Sequence, residues 1–179
     1  MKDPASGPFL LDTSAERWLA TARDPALVRW YREYTSVDMV YVSAVTVMER
    51  IRGYALIWHK RPPDRRIEVD PKRINYLNTL GKVLPLDTNI AIVAAEIMAL
   101  VPHPPARRRR SHRLAEPRQE RLARWRFDVM IAATALVEQM TLIHNNAEVF
   151  EAIRSAIERS PQRFPKLGPL DLVRCNALA

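Results

Sequence analysis

The chain has 179 residues, 47% of them hydrophobic, with 14 Pro, only 4 Gly and a net charge of +8. That length supports one core and does not require two, so the expected organisation is a single domain over residues 1–179. Cys175 is the only cysteine, which excludes an internal disulfide and suits a reducing compartment.

Phe9 to Leu11 reads as a short strand, followed by a helix from Ala15 that Ser14 is placed to cap. A polar, aromatic helix is expected over Pro25 to Thr35. Met39 to Val42 is strand-like, and Ser43 is placed to cap a long helix running to about His59. Beyond a loop around Arg61 to Asp64, a helix from Pro71 to Leu80 is expected to stop at Gly81, with a strand over Val83 to Leu86. Asp87 then starts a helix that carries Ile90, Val93, Ala94, Ile97 and Met98 at core spacing. Ile90 to Val101 is too short, and with Glu96 too polar, to span a bilayer. The N-terminus Met1-Lys2-Asp3-Pro4 has no signal-peptide pattern. A soluble, cytoplasmic protein is the expectation. The remainder reads as a helix from about Glu116, a second helix opening at Asp128, a strand at Thr141 to Ile143, a helix from Ala147 to Glu158, and a last strand near Leu172-Val173. Strands separated by helices imply parallel pairing, hence an α/β three-layer sandwich with a small central parallel sheet flanked by helices.

Charge is uneven along this chain. Residues 107 to 126 hold nine arginines against Glu116 and Glu120, a local balance of +7. Such a block attracts phosphate backbones, which makes Arg107, Arg108, Arg109, Arg110, Arg113, Arg124 and Arg126 candidates for nucleic-acid contact; a solvated loop is the plainer alternative. Trp125, flanked by arginines, is a candidate for stacking on a base.

Three carboxylates carry the chemistry. Asp12 directly follows the first strand, where ligands of an open α/β sheet collect. On the Ser43 helix, Thr46, Glu49 and Gly53 fall within roughly 60° of arc, and Gly53 is expected to allow close helix packing. Asp128 is expected in the first turn of its helix, favoured there by the macrodipole. Acids gathered in one cleft repel one another unless a cation lies between them, and hard oxygen donors favour Mg2+ or Mn2+. Singly, each acid is equally a cap or an exposed helical residue. His59, His103, His112 and His144 show no zinc-like spacing, and no glycine-rich phosphate loop is present.

Leu-Leu-Asp-Thr-Ser at 10–14, Ser-x-x-Thr-x-x-Glu-x-x-x-Gly at 43–53, Val-Leu-Pro-Leu-Asp at 83–87 and Asp-x-x-Ile-Ala-Ala-Thr-Ala at 128–135 together resemble the PIN domain, in particular the VapC-type toxins of type II toxin–antitoxin systems. The resemblance spans about residues 8 to 150. It implies Mg2+- or Mn2+-dependent endoribonuclease activity, a small antitoxin that blocks the cleft, and a homodimer. Asp12, Glu49 and Asp128 would be catalytic and metal-binding, with Thr13, Ser43 and Thr46 in support. Asn146 matches a further polar ligand, whereas Val149 stands where an acid is common, so a non-catalytic nucleic-acid or protein-binding module is the alternative; Glu148 is a substitute acid. Relative to the family, residues of about 102–126 form a basic insertion and about 160–179 a C-terminal extension.

Overall fold

The computed structural model describes residues 3–105 and 117–178. Five short strands, β1 (Phe9–Leu11), β2 (Tyr41–Ser43), β3 (Lys82–Leu84), β4 (Thr141–His144) and β5 (Leu172–Arg174), form one sheet in the order β3-β2-β1-β4-β5. Every pairing is parallel, with Leu10 beside both Tyr41 and Leu142, and Ile143 beside Val173. Because parallel neighbours need crossovers, helices separate the strands: α1 (Thr13–Ala20), α2 (Pro25–Val37), α3 (Ala44–Lys60), α4 (Pro63–Arg66), α5 (Asp70–Asn78), α6 (Thr88–Leu100), α7 (Arg118–Val137) and α8 (Ala147–Glu158). The expected three-layer α/β sandwich is the observed architecture.

Strand side chains alternate between faces, and this splits the apolar residues into two layers. Leu10 and Leu142 point to one side with Ile90, Trp125, Val129, Ile131, Phe150 and Ile153 from α6, α7 and α8. Phe9, Leu11 and Ile143 point to the other with Leu19, Leu27, Trp30 and Tyr34 from α1 and α2. There Phe9, Trp30 and Tyr34 pack ring to ring at centroid separations of 5.1 to 5.6 Å. The C-terminal segment completes this second layer through Cys175 and Leu178.

Several local expectations change. Asp12, not Ser14, caps α1, accepting from the Ala15 amide; the Ser14 hydroxyl instead donates to the Asp12 carboxylate at 2.9 Å. β3 begins at Lys82 and ends before Pro85, which has no amide hydrogen to extend a ladder. α5 stops at Asn78, so Gly81 does not end it; Gly81 lies so close to the chain that a Cβ there would stand 2.0 Å from the Val40 carbonyl oxygen. That approach lets the Lys82 amide donate to Val40 at 2.7 Å and set the register of β3 on β2. The two helices expected around Glu116 and Asp128 are one. No Gly or Pro interrupts residues 118 to 137, and α7 runs unbroken through them.

Candidate functional site

At the carboxyl end of β1 the chain must leave the sheet and start a helix, and Asp12 serves both needs. Its amide donates to the Ile143 carbonyl of β4 at 3.0 Å, while its side chain caps α1. The carboxylate is only 3% exposed, yet it borders a cleft of about 830 Å³. Glu49 and Gly53 of α3, Asp128 and Arg124 of α7, and Asn145 and Asn146 after β4 border the same cleft. Residues far apart in sequence are thus delivered to one place by the sheet's common polarity.

The electrostatics of the cleft show mutual repulsion. Burial pushes the Asp128 carboxyl up to about 8, and the charges of Asp12 and then Glu49 add to the effect; Arg124 and the Asn146 amide oppose it. Burial likewise raises Asp12 to about 6 against the lowering influence of the Ala15 amide and Ser14, with Glu49 raising it further. Glu49 is raised by burial and held back by its hydrogen bond from Thr13, then by Arg124 and Arg52. The Thr13 hydroxyl donates to Glu49 at 2.5 Å. Asn146 offers its amide nitrogen to Asp128 at 3.4 Å, a long contact. For Asn146 to present its carbonyl oxygen to a cation, that amide must turn over.

An all-oxygen, anionic donor set that raises its own proton affinity fits a hard divalent ion, which would replace the bound proton. Among the described residues, however, no three His, Cys, Asp or Glu side chains stand close enough together to form a ready ligand shell. An ion here would be reached partly through water or after side-chain rotation.

The other candidates divide. Thr13 lines the cleft, but Ser43 and Thr46 are buried away from it, where the Ser43 hydroxyl accepts from the Thr46 amide at 3.0 Å and the two hydroxyls share a 3.1 Å bond. Ser43 is therefore the cap of α3, as its position suggested. Gly53 does not serve helix packing, since a Cβ there would meet nothing within 4 Å; it leaves the cleft wall open. Asp128 lies ten residues past the start of α7, not in a first turn, so the helix N-terminus gives its charge no support. Trp125 is a core residue, 1% exposed, with its indole N–H donating to the Val101 carbonyl at 3.1 Å, and cannot stack on a base. Arg126 is exposed but outside the cleft, and so is Glu148. Arg107, Arg108, Arg109, Arg110 and Arg113 lie outside the described residues. Arg17, Trp18, Arg50 and Tyr54 were not anticipated at the cleft. Arg50 contacts Glu16 at 3.3 Å and lies 4.8 Å from the centre of the Tyr76 ring, bracing α3 against α1 and α5.

Residues 9–155 match the family model of the PIN domain. The chain belongs to the PIN-domain family. PIN domains are in general nucleases that use divalent metal ions. No curated protein matches the sequence. Solved structures of similar fold include VapBC2 from Rickettsia felis bound to a DNA fragment from its promoter, at 14% identity and TM-score 0.56, covering 93% of this chain and 97% of that one. DNA-bound VapBC from Salmonella typhimurium is similar at 20% identity and TM-score 0.52, with 93% and 97% covered. FitAB bound to the IR36 DNA fragment is similar at 20% identity and TM-score 0.54, with 94% and 95% covered. Among the described residues no helix is long and apolar enough to cross a membrane.

Proposed function

We propose that this PIN domain is the toxin of a VapC-type toxin–antitoxin pair, an endoribonuclease that hydrolyses RNA phosphodiester bonds with Mg2+ or Mn2+. One observation carries the reading: Asp12, Glu49 and Asp128, brought from three separate elements, border one cleft, where burial first and then the charges of Asp12 and Glu49 push Asp128 up to about 8. Capping accounts for Asp12 alone, whereas a cationic ligand accounts for all three acids at one cleft.

Asp12, Glu49 and Asp128 would hold the ion, with Asn146 beside them. When bound, that ion supplies neutralising charge and an acidified water for attack on phosphorus. Thr13 fixes the Glu49 carboxylate through its hydroxyl. Arg124, one helical turn before Asp128, places a guanidinium where it already acts on Glu49 and Asp128, and there it would receive a substrate phosphate. The arginines of residues 107–113, with Arg126, would add attraction for RNA. The cognate partner would be a small antitoxin protein covering the cleft, and the working form a cytoplasmic homodimer of single-domain chains.

RNA cleavage measured with Mg2+ or Mn2+, for wild type and Asp12→Asn, tests the reading. Asn keeps the α1 cap, so a loss isolates the charge; the expected fall is about 100-fold or more. A wild-type protein free of antitoxin that cleaves no RNA with either ion overturns it. The second reading, a non-catalytic nucleic-acid or protein-binding module, draws on the absence of a ready three-acid shell among the described residues. Retained RNA binding without cleavage would select it.

A further inference from the structure

We infer that Trp18 is a base-stacking residue of the cleft, holding a nucleobase of single-stranded RNA beside the scissile phosphate. The inference rests on the RNA-cleaving reading above and names how that site grips its substrate.

α1 buries one stripe, Ala15 and Leu19, against the second apolar layer. Trp18 precedes Leu19 by one residue, about 100° around the helix, and so falls off that stripe. It is 37% exposed, whereas Trp30 and Trp125 are 2% and 1% exposed. An indole is therefore left at the surface, at the one described cleft that Asp12, Glu49 and Asp128 border. Along α1 the rise from Asp12 to Trp18 is about 9 Å, and both residues border the same cleft.

The surroundings suit a nucleotide. Arg17 borders the same cleft from α1 and Arg124 from α7, providing cationic groups on two walls for backbone phosphates. On α3, Gly53 withholds a side chain and Tyr54 adds a second aromatic ring to the lining. An indole face accepts any base by stacking, and cations beside it retain the strand. Aromatic rings and arginines lining one cleft match the chemistry of a nucleobase joined to phosphates.

Cleavage of single-stranded RNA oligonucleotides with Mn2+ by wild type, Trp18→Ala and Trp18→Phe provides the test, using substrates made abasic at one nucleotide at a time around the cut. Trp18→Ala is expected to raise KM about 5- to 100-fold with little change in kcat, and Trp18→Phe to recover most of that loss. One abasic position should impose the same penalty on wild type and none on Trp18→Ala. Equal penalties in both proteins at every position overturn the inference while leaving the nuclease reading intact. Unchanged KM with an altered oligomeric state on gel filtration would assign Trp18 to a protein interface, and also overturns it. If wild type neither cleaves nor binds RNA, the nuclease reading itself fails and takes this one with it.

Discussion

The apolar layers and the acidic cleft are built from the same elements and follow opposite rules. β1 sends Phe9, Leu10 and Leu11 into the layers, where removal from water stabilises them, and then delivers Asp12 to a place where burial penalises its charge. α7 repeats the contrast. Val129, Ile131, Ala132 and Ala133 are fully buried, while Asp128 is pushed up to about 8 beside them. The layers hold the fold together, and that stability is what permits the cleft to keep carboxylates that repel one another.

Substitution can break this division at either end. The largest effect is expected in the layers: Trp125→Ala removes a fully buried indole and its bond to Val101, and urea denaturation should show a loss of about 3–5 kcal/mol. A loss below about 1 kcal/mol would mean that Trp125 is not the anchor of α7.

The next effect sets two buried ionisable groups against each other. His144 is fully buried with both ring nitrogens unpartnered, and burial, then Arg174 and Arg154, lower it to about 4. The unfolded chain binds that proton more readily between about pH 6.5 and pH 4, so His144 makes stability fall as pH falls through this window, by about 2–3 kcal/mol. Asp128 has the opposite sign. Its raised folded value means that the native state holds the proton better, so stability falls as pH rises from about 4 toward 8. Asp12, raised to about 6, adds to the Asp128 contribution between pH 4 and 6, so with a chelator present wild type should decline from pH 4 to 8. His144→Phe should decline more steeply below pH 6.5, and Asp128→Asn should be nearly level, His144 offsetting Asp12. Superimposable curves for the three proteins would remove both assignments.

A smaller effect sharpens the cleft side. At pH 8 without divalent ions, Asp128→Asn should be more stable than wild type by about 1–2 kcal/mol, allowing for screening in an open cleft. Added Mn2+ should stabilise wild type and not the variant, as read by thermal melts. The smallest effect separates charge from capping at Asp12. Asp12→Asn and Asp12→Ala both remove the charge, so the difference in their stabilities, about 1 kcal/mol in favour of Asn, measures the α1 cap alone.

Much of this was legible in the sequence where local chemistry and tertiary role agree. The Ser43 cap, the helix from Ala147 to Glu158 and the strands at Phe9 and Thr141 carry their own signals and form as read. Asp12, Glu49, Asp128 and Asn146 do reach one cleft. The misreadings came where composition competed with period. The arginines around Trp125 drew attention to charge, although Trp125, Val129, Ala132 and Leu136 recur at helical spacing and form one buried stripe. The same stripe, followed back from Asp128, shows that the helix begins well before it. Ser14 and Asp12 are both good caps, and only the chain's exit angle from the sheet decides between them. Helical spacing sets Trp18 off the Ala15–Leu19 stripe, but only the assembled fold shows that it borders the cleft.

One carboxylate group ends β1, caps α1 and faces the cleft, so anionic character and local architecture share a single atom set at Asp12. Asn reproduces the architecture and discards the charge. A single exchange at this position therefore uncouples the two properties: the turn out of the sheet persists while the cleft gives up one of its negative charges.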